Sequence, residues 1–290
     1  MSVYDLLIAP FIDYGFMRRA LAGSVALSLG AAPVGVILML RRMSLVGDAM
    51  AHAILPGAAI GFLLFGLAVV PMALGGFAAG LVVVIAAGIV ARSTVIEEDA
   101  SLAAFYLVSL ALGVMIVSVK GSSVDLMHVL FGTVLALDDA ALLLLGCATT
   151  ISLVVLAIIL RSLVAECVDP TFIAVVSRSG GPAHIAFLVL VVLNLVAGFQ
   201  ALGTLLAVAM MMLPAAAARM WCRGLGGMMA IATIIALASS VIGLLASYHY
   251  ALPSGPSMAL AAGAIWLASL MLGTVGGGIW KVLPQRHRAA

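Results

Sequence analysis

The feature that most constrains this chain is a succession of apolar runs, each about as long as a bilayer is thick, with no Asp, Glu, Lys or Arg inside them. A hydrocarbon core of about 30 Å is crossed by about 20 residues of α-helix. Nine such runs are present, at roughly 20–40, 50–70, 72–91, 100–119, 140–160, 183–199, 201–218, 228–247 and 257–279. They are continuous and rich in Ala, Leu, Gly and Val, unlike the short alternating segments of a membrane β-barrel. Only 8% of the residues are charged, against about 25% in a typical soluble domain, too few to cover a water-facing surface. The expected fold is all-α: a polytopic bundle of eight or nine transmembrane helices forming one domain over 1–290.

Two boundaries are the least defined. The second and third runs are separated by a turn near Pro71, and the sixth and seventh by little more than Gln200, so nine runs could form eight spans and a broken helix. The glycines of "GGFAAG", Gly75–Gly80, and of "GTVGGG", Gly273–Gly278, are candidates for close helix contact. Residues 4–16, "YDLLIAPFIDYGF", are too short and mixed to span. They suit an interfacial segment with Tyr4, Phe11, Tyr14 and Phe16 at headgroup level.

Charge orients the bundle. With the C-terminus in the cytoplasm, Arg41, Arg42, Arg92, Arg161 and Arg178 face inward, with Arg219, Arg223 and the basic tail. Only Arg18, Arg19 and Lys120 of the 13 basic residues then face out. The positive-inside rule therefore places the N-terminus outside. The N-terminus lacks the pattern of a cleavable signal peptide. The three cysteines, Cys147, Cys167 and Cys222, lack metal-binding spacing.

Ionisable groups in a membrane are costly and mark function. In "LRRMSLVGDAMAHAILPG", Leu40 to Gly57, Asp48 and His52 are four apart and share a helical face. A carboxylate oxygen and an imidazole nitrogen so placed can hold one cation. Equally, Asp48 can cap the second span and His52 be a buried, hydrogen-bonded histidine. In "GSSVDLMHVLFGTVLALDD", Asp125 and His128 are three apart on the outer side, suited to metal entry or to docking a delivery protein. In "LVAECVDPTFIAVVSRSGG", residues 163–181, Asp169 and Pro170 start a short cytoplasmic helix. After Thr171, the run "FIAVV", which includes Phe172 and Ala174, gives it an apolar face that needs a partner, either protein or the inner leaflet. Gln200 suits helix–helix hydrogen bonding or a pathway lining, and Asn194 the same. His249 falls in an external loop. His184 has no acidic neighbour at helical spacing. No phosphate-binding G-x-x-x-x-G-K-[ST] loop occurs and no nucleophile motif, so any ATP chemistry resides on another subunit. Nothing in the chain suits nucleic-acid binding.

The segment Leu40–Gly57 resembles the most distinctive stretch of the membrane permeases of bacterial metal-ion ABC importers, which take up zinc, manganese or iron. "VDLMHVLFGTVLAL", "DPTFIAVV", "QALGTLLAVAMMMLPAAAARM" and "LPSGPSMAL" match further segments of that family in order. The resemblance implies a permease of the bacterial cytoplasmic membrane that pairs with a second copy of itself, an ATP-binding subunit and an extracytoplasmic metal-binding protein. It implies that Asp169 to about Ser177 couples to the ATPase and that Asp48 and His52 hold the metal in transit. It implies no permanently bound cofactor: the metal is cargo. "SRSGGP" after the coupling segment and "SYHYALPSGP" depart from the family pattern. Two other readings fit the residues alone: a proton-coupled secondary transporter using Asp48 and His52, and a membrane scaffold.

Overall fold

The structure is a computed structural model that describes residue 4 and residues 7–66, 68–119, 137–168 and 180–275. All regular secondary structure among the described residues is helical, without strands. A short helix α1 (Ala9–Asp13) leads through extended Tyr14 into α2 (Gly15–Leu40). Then follow α3 (Ser44–Ala53), α4 (Leu55–Phe65), α5 (Val69–Ser93), α6 (Glu98–Val119), α7 (Asp139–Val168), α8 (Gly180–Leu202), α9 (Thr204–Ala218), α10 (Leu225–Tyr250) and α11 (Ser254–Leu272). Among the described residues eight stretches, with α3 and α4 acting as one, are long and apolar enough to cross a membrane, and α9 is a shorter apolar helix.

All nine apolar runs have a helical counterpart, and two of the expected boundaries move. The turn between the second and third runs is at Gly66, whose φ of 71° is the left-handed region open to glycine. Pro71 instead lies in the first turn of α5, where a missing N–H costs nothing. The break between the sixth and seventh runs falls at Gly203, φ 95°, three residues beyond Gln200.

Two rings of contacts define the ends of the bundle. At one end, Tyr14 packs on Tyr248 with ring centroids 5.5 Å apart, and Arg19 pairs with Asp139 at 3.1 Å. At the other, Arg41, Glu98, Glu166 and His184 meet. The Trp221 indole donates to Ser269 Oγ at 2.9 Å and joins the α9–α10 turn to the end of α11. The helices alternate between these ends, so Tyr14 and Ser269 lie at opposite ends. His249 is in the last turn of α10, not in a loop, and its ring meets Tyr248 edge-on at 5.2 Å.

Burial separates the centre from the rim. The most apolar windows of α2 and α8 are 72% buried, those of α6 and α7 only 22% and 28%. Outer faces carry exposed aliphatics such as Leu64, Val82, Ile158 and Leu260, as lipid contact demands. Between central helices small residues permit backbone contact. A Cβ on Gly35 would lie 1.8 Å from the Met211 carbonyl oxygen, and one on Gly57 2.0 Å from that of Gly75. Asn194 donates to Ser152 Oγ at 2.8 Å and ties α8 to α7.

Candidate metal pathway

Asp48 and His52 lie in α3, a ten-residue helix that begins at Ser44. Asp48 is therefore inside the helix and does not cap it. Its Oδ1 is 3.9 Å from His52 Nε2. That is too long for a hydrogen bond and less than twice a metal–ligand bond of about 2.1 Å, so one cation can bridge the two atoms. His52 Nδ1 is buried without a hydrogen-bond partner among the described residues. The His52 ring stacks against Tyr106 of α6 at 6.4 Å between centroids.

Depth follows from the neighbours. Tyr106 is eight residues up α6 from Glu98, about 12 Å at 1.5 Å per residue. Ser109 of α6 donates to Ala53 O at 2.8 Å, which fixes α3 against that part of α6. The sequence suggested a place for Asp48 near the inner end of a span. In the structure the following turn of α3 brings His52 well into the bundle.

The pair faces outward. The Asp48 side chain is 66% exposed and that of His52 32%. Exposed Leu45 precedes them by one turn, and exposed Ile60 and Leu64 follow along α4. A carboxylate on the outer face of a membrane helix is untenable against hydrocarbon. That face requires water, a cation or another protein surface.

A second polar cluster was not visible in the sequence. Arg41 lies at the C-cap of α2, and its guanidinium bonds to the Glu166 carboxylate of α7 and to His184 Nδ1 of α8 at 2.5 Å. His184 Nε2 is 2.7 Å from Glu98 Oε1 of α6. Arginine has no acceptor, so Nδ1 accepts and Nε2–H donates to Glu98. Glu98 and His184 also line a cleft of about 350 Å³ with α5 residues. His184 has no acidic neighbour at helical spacing along α8; its carboxylate partner, Glu98, reaches it from α6, and Arg41 from α2.

Gln200 is in the last turn of α8, and its Nε2 is buried without a hydrogen-bond partner among the described residues. Asp125 and His128 lie outside the described residues, as do Asp169, Pro170, Thr171, Phe172 and Ala174. Of the 163–181 region, 163–168 is the end of α7 and 180–181 the start of α8. No group of three or more metal-binding side chains occurs among the described residues, so the Asp48–His52 pair supplies at most half of a four-ligand site from one chain.

Residues 13–273 match the model of the ABC 3 transport family. The chain belongs to that family. It is 31% identical to the manganese import system permease protein ScaB of Streptococcus gordonii over 90% of this chain and 92% of the relative. It is 28% identical to the chelated iron transport system membrane protein YfeD of Yersinia pestis, over 93% and 89%. Its fold superposes on PsaBC from Streptococcus pneumoniae in complex with Fab, with a TM-score of 0.79 and 30% identity over 92% of this chain and 97% of that one. The chain is thus a multi-pass permease of the bacterial inner membrane and not itself an enzyme, in line with the resemblance read from its motifs.

Proposed function

We propose that this chain is the permease of an ATP-driven importer for a divalent transition metal, with manganese or iron ahead of zinc, and that it works as a pair of identical copies. The observation that carries the reading is the Asp48–His52 pair, exposed on the outer face of α3 and level with Tyr106. A second copy against this face would turn a costly exposed carboxylate into half of a shared site. Two oxygens and two nitrogens, without thiolate, suit manganese, iron or zinc. The relatives named for manganese and for chelated iron favour the first two. The set is weak enough to release its cargo, as a conduction pathway must.

The end of the bundle that bears Arg41 is the cytoplasmic one, by the excess of basic residues there. The segment from Asp169 to Ser177, with Pro170, Thr171, Phe172 and Ala174, meets the ATP-binding subunit at that end. A soluble metal-binding protein delivers to the opposite end, near Asp125 and His128. Closure of the ATPase moves the cytoplasmic ends of the helices and opens the path between copies to the outer side. The metal then reaches Asp48 and His52 and is released inward. An unprotonated His52 donates a lone pair, and Asp48 offsets one positive charge of the ion.

The test is the metal content of cells by elemental mass spectrometry. It compares a deletion strain, the same strain restored with wild type, and the strain carrying His52→Ala at matched expression. Manganese or iron should fall in the deletion and return only with wild type. Equal quotas in all three strains under metal limitation would favour a scaffold or another substrate.

A further inference from the structure

We propose that Arg41 is a positioning residue that clasps the end of α7 and the start of α8 to the joint between α2 and α3, so that displacement of those helix ends is passed to Asp48 and His52. The inference rests on the importer reading above.

Three observations place Arg41 in this role. First, its partners stand on two helix ends. Glu166 lies in the last turn of α7 and His184 in the first turns of α8. One guanidinium fork thus holds both ends, and the Phe187 ring of α8 packs under it at 5.5 Å. Arginine suits this because its planar fork serves two partners at once, which an ammonium does not do with comparable geometry. Second, the clasp is shielded: the Arg41 side chain is 8% exposed. A buried guanidinium stripped of its carboxylate is an uncompensated charge, so Arg41 follows Glu166 and does not detach from it. His184 extends the set to Glu98 at the start of α6, the helix against which His52 stacks.

Third, the joint beyond Arg41 is built to transmit. Arg42 has a φ of 61°. Met43 N donates to Leu38 O at 2.9 Å and Arg42 N to Met39 O at 3.2 Å. This is the paired bonding of a Schellman cap, here formed with a non-glycine residue in the left-handed position. The cap satisfies the last carbonyls of α2 and fixes the direction in which the chain enters α3. Asp48 follows in the second turn of that helix. The path from Arg41 to the metal pair is therefore a hydrogen-bonded cap and a short helix, with no loop between them.

The geometry favours a coupling role over simple packing because the clasp joins the cytoplasmic ends of four helices, α2, α6, α7 and α8, at the one place where α3 begins. A contact needed only for stability has no reason to converge there.

The test uses the whole importer, with its ATP-binding subunit, in proteoliposomes. Manganese uptake and ATP hydrolysis are measured together and expressed as ions moved per ATP. Arg41→Ala should lower that ratio at least tenfold while hydrolysis continues. Arg41→Lys keeps the charge but not the fork and should lower the ratio about threefold. The exchange variant Arg41→Glu with Glu166→Arg should recover part of the loss. If Arg41→Ala does not assemble, Arg41→Lys decides the matter. A wild-type ratio in an assembled Arg41→Ala or Arg41→Lys complex overturns the clasp and leaves the importer reading intact. Absence of ATP-dependent uptake of manganese, iron and zinc by the wild-type complex overturns the importer reading, and the clasp with it.

Discussion

Two glycines on one helix should respond to the same substitution with opposite signs. Gly75 and Gly88 both lie in α5. A Cβ at Gly75 would sit 2.2 Å from the Gly57 carbonyl oxygen and 2.9 Å from its carbon, whereas one at Gly88 meets nothing within 4 Å. Carbon–oxygen contacts between packed backbones settle at about 3.3–3.6 Å. Gly75→Ala must therefore push α4 and α5 apart by about 1 Å, since the obstacle is backbone and cannot rotate away. Overpacking of this kind costs about 1–3 kcal/mol. The reciprocal contact, in which a Cβ on Gly57 meets Gly75, leaves α4 no better position to retreat to. Gly88→Ala meets no steric term and removes a helix-interior glycine, which should stabilise by about 0.5–1 kcal/mol. The assay is the midpoint of thermal loss of the monodisperse peak when the purified permease is heated in detergent and passed over a sizing column. Gly75→Ala should fall below wild type and Gly88→Ala should match or exceed it. Equal midpoints for the two variants would refute the argument that α4 and α5 are held at backbone contact.

Two further outcomes bear on transport. Asp48→Asn keeps the shape of the side chain and removes the charge. Disturbing even the outer partners of a metal ligand costs about 10–100-fold, so manganese uptake should fall at least that far with no loss of folded protein. Wild-type uptake in that variant would remove Asp48 from the path. Phe172→Ala should lower the ions moved per ATP in proteoliposomes while the permease remains folded. An unchanged ratio would remove the 169–179 segment from the coupling mechanism.

The spans were legible in the sequence because crossing a bilayer is a one-dimensional demand, met or failed by each run of about 20 residues. Their ends were less so, because neighbouring signals compete. Pro71 is a conspicuous breaker, yet proline is also the favoured residue of a first helical turn, and Gly66 makes the actual reversal. Likewise the polar Gln200 drew the expected break, while the chain turns at Gly203, where only glycine takes a φ of 95° easily. The spacing of Asp48 and His52 was readable because it is a property of a single helix. What surrounds the pair was not. Tyr106 stands against His52 through the packing of α6 on α3, and no local pattern records that.

The Arg41 cluster marks the limit of local reading most clearly. Arg41 and His184 are 143 residues apart, and His184 and Glu98 are 86 apart. In the sequence Arg41 is one basic residue among those that the positive-inside rule counts without regard to partners. Packing turns that count into connection. An arginine that merely set orientation could face headgroups and water, whereas the Arg41 side chain is 8% exposed and bonded to Glu166. Burial at a helix end, where water was available, has to be matched by what the contact does. Here the matched carboxylate and imidazole belong to the ends of α7 and α8, and the arginine belongs to the helix end that leads into α3. One of the basic residues counted for orientation thus also joins three helix ends.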